Sequence, residues 1–227
     1  MTIKEYPKIE TLYDRNEKFS VDPTKLRKQE FANIRRWHIS EKINGTNVRI
    51  GLHADGSIEF GGKTNDAQMP VSLINFLRHI PEDRIRSSFK RDDTTGLLPE
   101  VVMCGEGYGS NLAHGSGIYH DSVSVCLFDV MIDKWWLSRA NVADVAQKVG
   151  LITVPEIKVI DYLPEAEEDL KMVLGNEGES VLIRTAGRPA KMAEGIVART
   201  DPMLFFGDGK PVIWKLKFKD FREGKRK

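Results

Sequence analysis

A chain of 227 residues with 41% hydrophobic and 30% charged side chains is long enough to bury a sizeable core and has the make-up of an ordinary soluble protein. No run approaches the roughly 20 apolar residues of a membrane span, and the charged start MTIKEYPKIE excludes a secretory signal. Two cysteines, Cys104 and Cys126, argue against a disulfide framework or zinc knuckle and fit a reducing, cytoplasmic setting; net charge is +1, yet residues 215–227 hold seven basic against two acidic side chains.

In chain order, the first distinctive stretch is Glu41-Lys42-Ile43-Asn44-Gly45-Thr46-Asn47, where a lysine enters a strand three positions before a glycine. Residues 47–52 and 57–61 read as strands flanking Ala54-Asp55-Gly56, a hairpin turn, and Gly62-Lys63-Thr64 follows. The spacing of Leu73, Ile74, Leu77 and Ile80 predicts a helix over 71–80 after Pro70. A strand is expected over 100–104, then a loop over 105–117 with five glycines but no Walker or dinucleotide spacing. The run 122–132 reads as a strand with Phe128 as a core aromatic, and Trp135-Trp136 as a packed sheet edge.

A helix over 139–149 is predicted by Val142, Val145, Ala146 and Val149, with Ser138 as N-cap and Gly150 past its end. The run 152–160 reads as one strand. A helix over 165–174 opens with Glu165, Glu167 and Glu168, which suit the helix dipole, and stops at Gly175. Strands are expected over 179–185, 194–199 and 211–218. In the last, Lys215 and Lys217 face one way because strand side chains alternate, so the two ammonium groups need an anionic partner. The five histidines lack metal-ligand spacing and read as surface or loop residues. Strands outnumber helices without alternating with them, so the fold class is α+β with mostly antiparallel sheets. No repeat or linker divides the chain, which implies one domain over 1–227.

Taken together, these stretches resemble the covalent nucleotidyltransferase superfamily of ATP-dependent ligases and capping enzymes, and most closely the nick-sealing phage-type RNA ligases. EKINGTNVRI resembles the first motif, K-x-x-G, with the Thr-Asn that RNA ligases favour. Lys63 stands where the family has a basic residue before threonine. Gly105-Glu106-Gly107 resembles the third motif, Phe128-Asp129-Val130 its aromatic-acidic companion, Glu194-Gly195-Ile196-Val197 the fourth, and Lys215-Leu216-Lys217 the fifth. The separations also match, with 64 positions from Lys42 to Glu106 and 21 from Glu194 to Lys215. Glu177-Gly178-Glu179 imitates the fourth motif but lies 38 positions before Lys215, so Glu194 is taken instead and 177–185 is left as a structural strand.

The resemblance implies a nucleotidyltransferase (ATP-grasp-like) ligase fold with a nucleotide cleft, ATP and Mg²⁺ or Mn²⁺ as cofactors, and RNA ends as partners. It implies that Lys42 is the nucleophile, attacking ATP to form lysyl-AMP. Such an amine attacks only as the free base, a form that nearby cations favour. Lys217 is implied at the α-phosphate with Lys215 assisting, Glu106 at the ribose, Glu194 at the metal, and Phe128 on the adenine face with Glu41 and Ile43 at its edge. Thr46 and Asn47 are implied at the RNA, and Lys63 at the phosphates of ATP or the RNA 5′-phosphate. Asn44 departs from the K-x-D-G usual in DNA ligases and capping enzymes, which remain the alternatives, with a non-catalytic nucleic-acid-binding module as a third. The chain ends about ten residues after the fifth motif. The expectation is a catalytic domain without a separate C-terminal domain, whose basic tail 219–227 or a protein partner helps to grip RNA.

Overall fold

A computed structural model describes residues 3–110, 112 and 115–223. The elements run β1 (Glu10–Thr11), β2 (Tyr13–Arg15), β3 (Val21–Leu26), β4 (Trp37–Lys42), β5 (Thr46–Leu52) and β6 (Ile58–Gly61). Then come α1 (Val71–Arg78), α2 (Glu82–Ser87), β7 (Val101–Tyr108), β8 (Ser124–Ile132), β9 (Trp135–Trp136) and α3 (Arg139–Val149). The chain finishes with β10 (Ile152–Thr153), β11 (Glu156–Ile160), α4 (Glu167–Leu174), α5 (Val181–Thr185), β12 (Gly195–Arg199) and β13 (Ile213–Lys217). The class is α+β with mostly antiparallel sheets, as expected. Among the described residues no helix is long and apolar enough to cross a membrane.

The chain divides into two compact units, one of residues 1–6 and 44–153, the other of residues 7–43 and 154–227. The first is built on the order β10-β8-β7-β5-β6, with β9 paired to β8. Val48, Ile50 and Leu52 of β5 share one face because strand side chains alternate, and they pack with Leu73 and Leu77 of α1 and Val142, Val145 and Val149 of α3. Each such side chain contributes roughly 1.5–3 kcal/mol by leaving water. The opposite face, which carries Arg49 and Gly51, is also buried. There Gly51 leaves room for Ile3, whose side chain comes within 3.0 Å of where a Cβ would stand.

One irregularity sets the parity of β8. Cys104 pairs with Asp129 but Gly105 with Leu127, so Phe128 is the extra residue of a β-bulge. Before it the odd residues Val125 and Leu127 face the helices, and after it the even residue Val130 does.

At the β5–β6 hairpin, Gly56 takes the left-handed φ of 89° that the predicted turn requires. Beside it His53 places Nδ1 3.0 Å from Glu100 and Nε2 3.1 Å from Glu59. Carboxylates only accept, so the ring donates from both nitrogens and is charged. Burial works against that charge, but Glu100 and Glu59 outweigh it and raise the His53 pKa. The resulting stability is full below the ordinary histidine value of about 6.5 and is lost as pH rises through the raised one. Thermal unfolding followed by circular dichroism should therefore show the melting temperature falling above about pH 7, and His53→Gln should remove that slope.

The second unit is built on the order β1-β13-β12-β4-β11, parallel at β1–β13 and antiparallel elsewhere, with β2 and β3 as a separate pair. Its core gathers Trp37, Ile39, Ile196, Trp214 and Leu216 from the sheet and Leu170, Val173 and Leu174 from α4.

Several local expectations are corrected. The 71–80 helix ends at Arg78, because Pro81 disfavours helical backbone before it and opens α2, whose six residues are too short to show a period. Gly105-Glu106-Gly107 is strand, continuing β7 to Tyr108, rather than the start of a loop. The single strand expected over 152–160 is two, β10 on β8 and β11 on β4, interrupted at Pro155, which has no N–H to donate. The strand expected over 179–185 is α5: Ser180 accepts from the Ile183 N–H at 3.2 Å, an N-cap that overrides the β-branched composition. The 165–174 helix starts at Glu167, with the Asp169 carboxylate accepting from the Glu165 and Ala166 N–H groups.

Candidate functional site

Lys42 is the last residue of β4, where the sequence reading had it entering a strand. Gly195 of β12 stands across from Lys42 on one side and from Lys217 of β13 on the other. Cross-strand partners share a sheet face, so the two lysines flank a residue without a side chain. The glycine is required by packing as well, since a Cβ there would lie 2.1 Å from the Leu216 carbonyl oxygen. Glu194, one residue earlier, turns its carboxylate into the gap. Its Oε2 lies 2.7 Å from Lys42 Nζ and its Oε1 2.6 Å from Lys217 Nζ.

The three side chains are only 20%, 15% and 19% exposed, in the order Lys42, Glu194 and Lys217. Burial pushes the Glu194 carboxyl up, but the two ammonium groups prevail and hold it below the usual carboxylate range. Of the two β13 lysines that called for an anion, Lys217 finds one in Glu194. Lys215 stands two residues along the same face, paired with Val197. The Ile43 carbonyl oxygen lies 3.4 Å from Lys42 Nζ. Gly195→Ala should cost about 1–3 kcal/mol in chemical denaturation, since backbone rather than a flexible side chain must give way.

Glu41 points away from this cluster. Its carboxylate is 1% exposed and accepts from Ser180 Oγ at 2.5 Å and the Leu182 N–H at 2.9 Å. Burial raises its pKa against these hydrogen bonds. The residue before the lysine is thus tied to the N-terminus of α5, within the segment that imitates the fourth motif.

The other motif residues lie in the unit of residues 1–6 and 44–153. Asn47 of β5 pairs with Glu106 of β7, and Thr46 with Gly107. Among the described residues Asn47 Oδ1 is buried without a hydrogen-bond partner, a costly state for a lone acceptor unless a ligand supplies a donor. Gly45 makes the β5–β7 approach possible, because a Cβ there would meet the Gly107 oxygen at 2.1 Å. Phe128, presented by the bulge, is partly exposed, and its ring meets Tyr6 edge-on at 5.0 Å. Tyr6 also donates to the buried Asp129 carboxylate at 2.6 Å, which places Asp129 inside a strand rather than at its end. Lys63 is exposed in the segment after β6.

Sequence reasoning missed the supports. Arg49 is 1% exposed and donates to the carbonyls of Gly62 and Ile3 at 2.6 and 2.7 Å and to Asn65 Oδ1 at 3.1 Å, fixing the segment that carries Lys63. An arginine amid aliphatic strand residues was the available signal. Ser180 and Tyr6 gave none.

The donor set suits a hard cation sparingly. Among the described residues no group of three or more His, Cys, Asp or Glu side chains could hold a metal. A single carboxylate such as Glu194 fits Mg²⁺ or Mn²⁺ that keeps waters and binds through substrate phosphates. In the tail, Asp220 pairs with Arg15, Glu223 with Lys18 and Arg222 with Glu167, whereas residues 224–227 lie outside the described residues.

Against known proteins, a model of the RNA ligase family matches residues 35–217. Among curated proteins no sequence match reaches significance. Among solved structures, a Naegleria gruberi RNA ligase with PPi is similar at 15% identity and TM-score 0.61, over 95% of this chain and 56% of that one. A mutant of the N. gruberi RNA ligase with ATP and Mn is similar at 14% identity and TM-score 0.56, over 84% and 52%, and another mutant with AMP and Mn at 14% and 0.60, over 95% and 56%. The chain thus spans little more than half the length of these ligases. At such identity the likeness shows the fold.

Proposed function

This chain belongs to the RNA ligase family, and we propose that it is an ATP-dependent RNA ligase that works through an AMP adduct on Lys42, with residues 1–227 acting as one adenylyltransferase domain. The observation that carries the reading is the cluster of Lys42, Glu194 and Lys217, two ammonium groups from different strands held by one carboxylate in a largely buried position. Paired lysines beside a single carboxylate suit a substrate that brings its own negative charge, as a triphosphate does.

In the first step Lys42 Nζ attacks the α-phosphorus of ATP. The N–P bond forms, the bond to pyrophosphate breaks, and the nitrogen loses its proton. The attacking nitrogen needs a lone pair, so the Lys42 ammonium must first give a proton to solvent and part from Glu194. Lys217 keeps its contact with Glu194 and is placed to hold the α-phosphate as charge gathers there, with Lys215 beside it on the same face. A divalent cation at Glu194 supplies positive charge to the phosphates when bound. We assign Glu106 to the ribose, Phe128 to the adenine face, the backbone at Glu41 and Ile43 to its edge, and Thr46, Asn47 and Lys63 to the RNA. The unpartnered Asn47 oxygen supports its assignment. In the second step AMP passes to an RNA 5′-phosphate. In the third a 3′-hydroxyl attacks that phosphate, and AMP leaves as the phosphodiester closes.

The test is incubation with α-labelled ATP and Mg²⁺, followed by denaturation and peptide mapping. An acid-labile AMP adduct on the peptide containing Lys42 is expected. GTP labelling without ATP labelling would point to a capping-type enzyme. No adduct from either nucleotide on folded protein would leave the non-catalytic reading.

A further inference from the structure

Residues 7–43 and 154–227 also form a cleft of about 270 Å³ far along β13 from Lys217, lined by Lys8, Arg27, Lys28, Phe31, Phe206 and Lys210. We propose that this cleft holds a nucleotide of a single-stranded RNA segment, with a base against Phe206 and the adjoining phosphates on the surrounding cations. The assignment rests on the RNA ligase reading, since it supplies a grip on the RNA substrate.

Four cations here come from three stretches of chain. Three of them have exposed ion pairs: Lys8 with Glu10 at 3.6 Å, Arg27 with Asp14 at 2.8 Å and Lys210 with Asp208 at 2.9 Å. Exposed pairs of this kind are worth little and can yield to a phosphate. Among the described residues Lys28 forms no ion pair; its ammonium lies over the Phe206 ring, 5.4 Å from the centroid. The cations outnumber these carboxylates by one, so the rim attracts anions.

The aromatic is presented firmly. Phe206 donates its N–H to the Lys210 oxygen and accepts from the Gly209 N–H, both at 2.9 Å, and its ring rests edge-on against buried Phe31 at 5.8 Å. A fixed ring beside surface cations is the arrangement that binds unpaired bases and tracks a backbone. A duplex does not offer an unstacked base to such a ring. The cleft reaches β13 at Ile213, four residues from Lys217 or about 13 Å along the strand, close enough for one RNA strand to serve both places. Lys8, Arg27 and Lys28 precede the stretch that the family model matches, so the cleft is additional to the shared motifs.

Fluorescence anisotropy with a labelled 12-nucleotide single strand and a duplex of the same length would test this on the full chain, across a salt series. Lys28→Glu should weaken single-strand binding about tenfold and lower the magnitude of its salt slope by about 0.7. Phe206→Leu keeps apolar packing and should weaken it about fivefold with the slope unchanged. Both variants should take up AMP label as the parent does, which separates this inference from the catalytic one: a chain that never labels but still shows these losses retains the cleft and loses the ligase reading. Unchanged single-strand affinity in both folded variants, or equal losses on strand and duplex, would overturn the proposal.

Discussion

Replacing Lys42 with alanine should reduce AMP labelling to background while leaving the protein folded. The nitrogen that forms the N–P bond is gone, and no neighbour can take its place, because Lys217 approaches from the far side of Gly195. Arginine fares no better, as a guanidinium stays charged and offers no lone pair at neutral pH. The structural cost is small, since Glu194 keeps its 2.6 Å contact with Lys217; a loss of about 1–2 kcal/mol in urea denaturation is expected. The variant should also still join an RNA strand supplied already adenylated, because the last step uses no lysine nucleophile. Labelling that persists in Lys42→Ala would sink the assignment, and loss of joining from the pre-adenylated strand would show that Lys42 does more than attack.

Glu194→Gln has the second large effect, and it falls on stability and labelling together. Removing the charge leaves two mostly buried ammonium groups facing a neutral amide, and breaking a buried pair in this way costs about 3–5 kcal/mol. Labelling should drop at least about a hundredfold, because the phosphates lose the group that would carry the divalent cation. The parent should show a matching acid limb. Its Glu194 carboxyl is held low, so the stability it provides is complete above the ordinary carboxylate value of about 4.3 and is lost as pH falls through the lower folded value. The variant has no such limb at this position. Equal stability of the two proteins at neutral pH would mean that the cluster contributes no net cohesion.

How much of this was legible beforehand depended on how local each cause was. The helix over 139–149 was readable to the residue because its own ends carry the instructions, a Ser138 cap accepting from the Asn141 N–H and Gly150 at φ 79°. β1 and β2 were not readable, since they are two and three residues long and β1 pairs with β13, some 200 positions away; β3 was hidden by the Asp22-Pro23 within it, a pair that suits a turn. α5 was misread as a strand because its composition favours one, while its cap and the Glu41 carboxylate favour a helix. At the site, motif order located Lys42, Glu194 and Lys217, and the same-face lysines called for an anion. Which anion, and that one glutamate would hold Lys217 together with Lys42 of another strand, required the register of three strands. The resemblance implied Glu41 at the adenine edge; its side chain faces away from Lys42, because adjacent strand residues face opposite ways, and it holds Ser180 and the Leu182 N–H, an arrangement that needed the fold to be seen.

The bulge at Phe128 makes β8 a strand with one residue to spare. A substitution there removes one ring and leaves its neighbours oriented. Deleting Phe128 outright would do no more to the ladder, because Leu127 already stands opposite Gly105 and Asp129 opposite Cys104. The pairing would become regular, with Leu127 and Val130 still among the helices and Asp129 still beside Tyr6. The extra residue therefore secures the position of the ring and not the register of the strand.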